Sequence, residues 1–162
     1  MVIRDATKQD YDFILRINEE NVDVLSPMDA EKLDFFFAKA EMVKIAEIEG
    51  NPAAFIIVLS EKAKDYQLKC YNWFSDRYPK FIYIDCIVID KKYRHMGIGT
   101  LLYQMVFNHA KEIGTDIIAA GITTIPRNES SLRFHQEMGF HEVGAQDIRG
   151  GAVRVSQQIA KV

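Results

Sequence analysis

The run Arg94-His95-Met96-Gly97-Ile98-Gly99-Thr100 stands between an apolar stretch, Phe81 to Asp90, and a helix-patterned one, Gly97 to Gly114. Two glycines at such a junction let the backbone approach a ligand closely. The unpaired N–H groups and positive dipole end of the helix favour an anion such as a pyrophosphate. Arg94 can add a charge-assisted contact, or it is solvated surface. A dinucleotide-binding loop would carry a third glycine at Leu102, and an ATP-type loop would continue Gly-Lys-Ser/Thr; neither is present. Asp85 lies inside the apolar stretch, where an isolated charge is costly. It therefore serves proton transfer or ammonium binding, or it is hydrogen-bonded to a neighbouring Tyr, Arg or backbone group. His135 follows Asn128 by seven residues, nearly two helical turns, so the two share one helix face. An imidazole with an ordinary pKa near ~6.5 can give or take a proton at neutral pH. It can equally be a helix histidine packed beside Phe134.

Positioning these groups requires a strand and two helices. Large apolar side chains succeed one another through Phe81 to Asp90, as in a strand covered on both faces, so it is expected at the centre of a sheet. A period of two puts Asp85 on the face of Tyr83 and Ile87, with Cys86 opposite. Ile98, Leu101, Leu102, Met105, Val106 and Ile113 mark the buried side of the helix that follows. Asp116 to Thr123 reads as another buried strand, and Asn128 to Met138 as a helix ended by Gly139.

Upstream, Val2 to Ala6 is a short strand and Lys8 to about Asn21 a helix, with Tyr11, Ile14, Leu15 and Val22 at helical spacing. Ser26-Pro27-Met28-Asp29 reads as a second helix start, capped by Ser26 and followed by the stripe Leu33, Phe36, Phe37 and Ala40. Met42 to Glu49 and Ala53 to Leu59 form a hairpin about Gly50-Asn51-Pro52. Phe140 to Ile148 and Ala152 to Ile159 form another about Arg149-Gly150-Gly151, pairing within the chain or helping to build a homodimer. Glu61 to Lys80 is polar yet carries Tyr66, Tyr71, Trp73, Phe74 and Tyr78. It is long for a connection, so it is a lid over a site or a short helix capped onto the core.

At 162 residues, with 48% hydrophobic and 27% charged residues, the chain has the size and composition of one folded domain. A formal charge of -3 gives no basic excess for nucleic acid. Cys70 and Cys86 form no CxxC pair, which suits a reduced, cytoplasmic setting and no metal site. Neither a signal-peptide core nor a run of about 20 apolar residues is present, so no membrane association is expected.

The strand-loop-helix run resembles the Arg/Gln-x-x-Gly-x-Gly/Ala signature of the GNAT superfamily of acyl-CoA-dependent N-acyltransferases. Asn128-Glu129-Ser130-Ser131, then His135, then Gly139-Phe140 is similar to the family's second motif. Two motifs at the right separation, with matching element order, extend the resemblance over residues 1–162. It implies an α+β domain: a mixed, mostly antiparallel sheet of about seven strands flanked by helices. It implies acetyl-CoA as co-substrate, with its pantetheine arm lying between two splayed strands like an added strand. Ile87 and Ile89 would hold that arm by their backbone. Arg94, His95, Met96, Gly97, Ile98, Gly99 and Thr100 would hold the pyrophosphate, and Asn128 and Ser131 would touch the rest. The Ile87 N–H would also hold the thioester oxygen as charge develops there, an effect worth roughly 3 kcal/mol. His135 stands where many members carry a Tyr that protonates the leaving sulfur, which makes it the implied acid, with Asp85 the implied base. The expected function is acetylation of a primary amine on a small acceptor by direct attack. A non-catalytic acyl-CoA sensor is the alternative, motivated by the missing Tyr.

Overall fold

A computed structural model describes residues 1–23 and 25–162. Seven strands are recorded: β1 Val2–Asp5, β2 Met42–Ile48, β3 Asn51–Ser60, β4 Ile82–Ile89, β5 Ile117–Ile125, β6 His141–Ile148 and β7 Val153–Lys161. They form one sheet in the order β1-β2-β3-β4-β5-β7-β6, which puts β4 at its centre, as its unbroken apolar sequence requires. Every neighbouring pair is antiparallel except β4 and β5. The last hairpin pairs within the chain, β7 lying between β5 and β6.

Helices cover both faces. On one side lie α1 Tyr11–Glu19, α2 Ala30–Lys39 and α3 Lys69–Ser75, over a core that includes Ile14, Leu33, Phe36, Tyr71, Phe74 and Tyr83. On the other lie α4 Ile98–Ile113 and α5 Glu129–Glu137, over Ile56, Ile82, Ile84, Leu102, Tyr103 and Ile118. Among the described residues no helix is long and apolar enough to cross a membrane.

The chain enters α1 through a 3-10 turn, Lys8–Asp10, closed by a capping box. Asp10 accepts from the Thr7 N–H at 2.7 Å and from both terminal nitrogens of Arg4 at 2.8 Å, tying β1 to the helix start. Arg4 holds this carboxyl below the usual carboxylate range. Its contribution is therefore complete above the unfolded value of about pH 4 and fades as pH falls through the folded-state pKa. Asp10→Ala should lose roughly 2 kcal/mol of stability at pH 7, with a native-variant difference in urea midpoint that shrinks in acid.

Two local expectations change, and one choice between alternatives is resolved. The cap of α2 is Asp29, whose carboxylate accepts from the Lys32 N–H at 2.9 Å, whereas Ser26 lies upstream and offers its carbonyl to Asn18. Asn51 and Pro52 belong to β3, because Glu49 and Gly50, both at positive φ, make the whole turn, and a register shift after Ala46 lets Pro52 sit opposite Glu47. The long polar stretch is a short helix on the core and not a lid: Tyr66, Tyr71 and Phe74 are buried and join one aromatic cluster with Phe36, Phe81 and Tyr83. Two strand glycines admit α3. A Cβ at Gly121 would collide with Cys70, and one at Gly144 with the Trp73 ring.

Candidate active site

The parallel pair at the sheet's centre is short. β4 and β5 are registered at Ile82–Ile118, Tyr83–Ala119 and Ile84–Ala120, and no further. Beyond Ile84 the strands part, so the β5-facing edge of residues 85–89 has no strand partner while β3 still pairs the other edge. Ile87 and Ile89 line this opening on the α4 and α5 side. A slot with one free backbone edge suits an extended chain that adds itself as a strand.

At the point of parting β4 carries a bulge. Ile57 faces Cys86 and Val58 faces Ile84, which leaves Asp85 as the extra residue. The bulge overturns the simple alternation expected from sequence. Asp85 and Cys86 line the same crevice on the α1–α2 side, while Ile87 faces the opposite core. Asp85 touches solvent through that crevice but is otherwise surrounded by protein, and burial raises its pKa above the usual carboxylate value. The Tyr66 hydroxyl donates to it at 2.6 Å, and Lys32 acts on it through space; both pull the pKa back down. A carboxylate with a raised pKa, at the mouth of a slot between strands, has the properties of a general base.

The loop before α4 has the features that an anion cradle requires. Gly97 is the N-cap in left-handed conformation, φ 79°, and no side chain caps the first turn. A Cβ at Gly97 would meet nothing within 4 Å, so the space above these N–H groups is open. His95 also turns the backbone through positive φ, at 65°, and its side chain, with those of Arg94, Met96 and Thr100, is exposed. Ile98 and Gly99 are buried instead. Gly99 faces this packing: a Cβ there would be in ordinary contact, 3.4 Å from Ile89 and 3.5 Å from Phe134. This approach draws the end of β4, the start of α4 and the middle of α5 together, which brings the two sequence motifs onto one site.

Asn128 is the N-cap of α5, makes no side-chain cap bond, and with Ser131 stays partly exposed. His135 is buried. Its Nδ1 lies 2.7 Å from the Ser131 carbonyl oxygen, so Nδ1 carries the proton, and Nε2 accepts from the Tyr103 hydroxyl at 2.6 Å. Burial lowers its pKa to about 4 against a smaller opposing effect of the Ser131 carbonyl. The ring is thus neutral at physiological pH, with its one proton already engaged. This geometry suits a group that fixes α5 against α4 better than it suits a proton donor.

Sequence reading did not single out Tyr103 or Lys32 and left Tyr66 among the core aromatics. Tyr103 sits one turn beyond Gly99 on the buried face of α4, and its hydroxyl needed a partner, which was the available signal. Tyr66 and Lys32 reach Asp85 across 19 and 53 residues of chain, and no local pattern encodes that.

A family model described as the acetyltransferase (GNAT) family matches residues 8–140. All of the chain aligns with all of a ribosomal-protein-alanine N-acetyltransferase from Brucella melitensis, at TM-score 0.75 and 20% identity. All of it also aligns with 87% of Chaetomium thermophilum Naa20, whose structure contains a bisubstrate analogue, at TM-score 0.79 and 16% identity. A third structure, an N-acetyltransferase from Staphylococcus aureus Mu50, matches 99% of the chain over 97% of its own length, at TM-score 0.74 and 22% identity. Identities this low show a shared fold. None of the curated proteins matches the sequence. Since the family model spans both motifs and the strands that part between them, the chain belongs to the acetyltransferase (GNAT) family and is an enzyme of that class.

Proposed function

We propose that the protein transfers the acetyl group of acetyl-CoA to a primary amine of a small acceptor by direct attack. The observation that carries this reading is the bulge at the parting of β4 and β5, which sets Asp85 beside the slot. Acetyl-CoA supplies an activated acyl group as a thioester. For its pyrophosphate the chain offers the uncapped start of α4 with Arg94, His95, Met96, Gly97, Ile98, Gly99 and Thr100. For its pantetheine it offers the backbone of Ile87 and Ile89, and Asn128 and Ser131 stand on the α5 side.

The proton balance needs one base. An acceptor arrives as an ammonium, Asp85 takes one proton, and the neutral nitrogen forms the C–N bond. As the C–S bond breaks, the nitrogen loses its second proton and the thiolate gains one. The Ile87 N–H is assigned to the carbonyl oxygen on which charge develops, a preorganised donor of the kind that contributes most in such reactions. No step demands an imidazolium, so His135 is given a positioning role, holding α5 to Tyr103. The buried free thiols of Cys70 and Cys86 suit a reducing compartment and support a cytoplasmic setting.

The test is thiol release from acetyl-CoA across a panel of small primary amines, with the product mass measured. Release that needs an amine and yields its N-acetyl derivative supports the reading. Tight acetyl-CoA binding with no acceptor turned over would make the chain a binding module instead.

A further inference from the structure

The crevice behind Asp85 contains two opposite charges that do not neutralise each other. Asp85 and Cys86 of β4 and Lys32 of α2 line it together with Asn18, Ser26 and Leu68. Among the described residues Lys32 makes no ion pair. Its ammonium lies 3.4 Å from the Pro27 carbonyl and 5.8 Å from the centre of the Phe36 ring. It acts on Asp85 through space without forming a contact bridge, so each charge stays available to a ligand. The free volume of the crevice is about 30 Å³. By the measure in which one water needs roughly 10–15 Å³, that is room for about two water-sized groups, which favours a compact acceptor whose charged groups lie close together.

These features constrain the acceptor. A plain alkylamine in the crevice would place its ammonium near Asp85 but also near an unpaired Lys32, a like-charge opposition that nothing in the ligand relieves. A second, anionic group close to the nitrogen would turn that opposition into attraction. Asn18 does not compete for either charge: its amide donates to the Ser26 carbonyl at 3.1 Å and its oxygen accepts from the Cys86 thiol at 3.6 Å. We propose that the acceptor is a compact zwitterion, an amine with a carboxylate or phosphonate on a neighbouring carbon, its ammonium met by Asp85 and its anion by Lys32. The proposal rests on the acetyl-transfer reading and narrows it.

The test compares the proteinogenic amino acids and an aminoalkylphosphonate with their decarboxylated amines and their amides, following thiol release from acetyl-CoA. At least one zwitterion should exceed both its amine and its amide in kcat/KM by about tenfold or more. In K32M that preference should collapse through a raised KM for the zwitterion, and in K32R it should survive. K32M keeps an unbranched side chain of similar length at this half-buried position, which favours retention of α2. Decarboxylated amines turned over as well as the zwitterions, or a preference unchanged in K32M, would overturn this inference and leave acetyl transfer standing. Turnover of no amine in the panel would overturn both.

Discussion

Asp85→Asn should lower kcat for amine acetylation by about 10²- to 10⁴-fold, the usual contribution of a proton-transfer group, while leaving the protein at least as stable as the native chain. The two halves of this expectation share one cause. Burial raises the Asp85 pKa above its unfolded value, so the folded state loses stability as pH rises through the interval between them, and the full penalty is present above the folded pKa. An amide of the same shape removes that penalty and still accepts the Tyr66 hydroxyl. Thermal or urea unfolding near neutral pH therefore separates a catalytic carboxylate from a structural one: marked destabilisation would assign Asp85 to the fold. The acid limb of the rate profile gives the second check. It should vanish in Asp85→Asn and move to higher pH in Tyr66→Phe, because the Tyr66 hydrogen bond is what draws the carboxyl pKa down. A limb that stays put in both variants would remove Asp85 as the base.

Gly97→Asp should weaken acetyl-CoA binding by roughly 100-fold or more without unfolding the protein. Two unit charges about 4 Å apart interact by ~4 kcal/mol at the effective dielectric of a protein surface, and part of this is screened by salt. The new carboxylate would stand where the pyrophosphate is expected, at the uncapped start of α4. Its Cβ meets no neighbouring atom, and Asp is among the few residues that enter the left-handed region with modest strain. Calorimetric titration with acetyl-CoA reads the loss, and circular dichroism confirms the helix. Gly99 is the poorer position for this test, since it is buried against Ile89 and Phe134 and a charged side chain there would be desolvated among apolar atoms as well. Native-like affinity in Gly97→Asp would show that the anion does not sit on this helix start.

What could be read from sequence divides along the range of the interactions. The central strand, the helix after Gly97 and the helix ended by Gly139 announce themselves through local periodicity, and the fold contains them where expected. Alternation fails at Asp85, because a bulge depends on how β3 registers against β4, and that is not written in either strand alone. Cap assignment fails at Ser26 because two good caps lie three residues apart, and the backbone chooses Asp29. The hydrogen bond that occupies His135 Nε2 was beyond reach for the same reason as the partnership of Tyr66 with Asp85. Each depends on a hydroxyl delivered from a distant element, by Tyr103 in one case and Tyr66 in the other.

The gap between β4 and β5 also bears on how the chain avoids sticking to its own copies. An unpaired strand edge is a template for foreign strands and a common origin of aggregation. Here the free edge beyond Ile84 runs through the interior of the sheet, with α4 packed over both flanking strands and α5 over β5. The true rims are β1, four residues long, and β6, which shows Glu142 and Asp147 on an edge next to β7. The most adhesive backbone in the protein is thereby kept away from the outer rims of the sheet and beneath two helices.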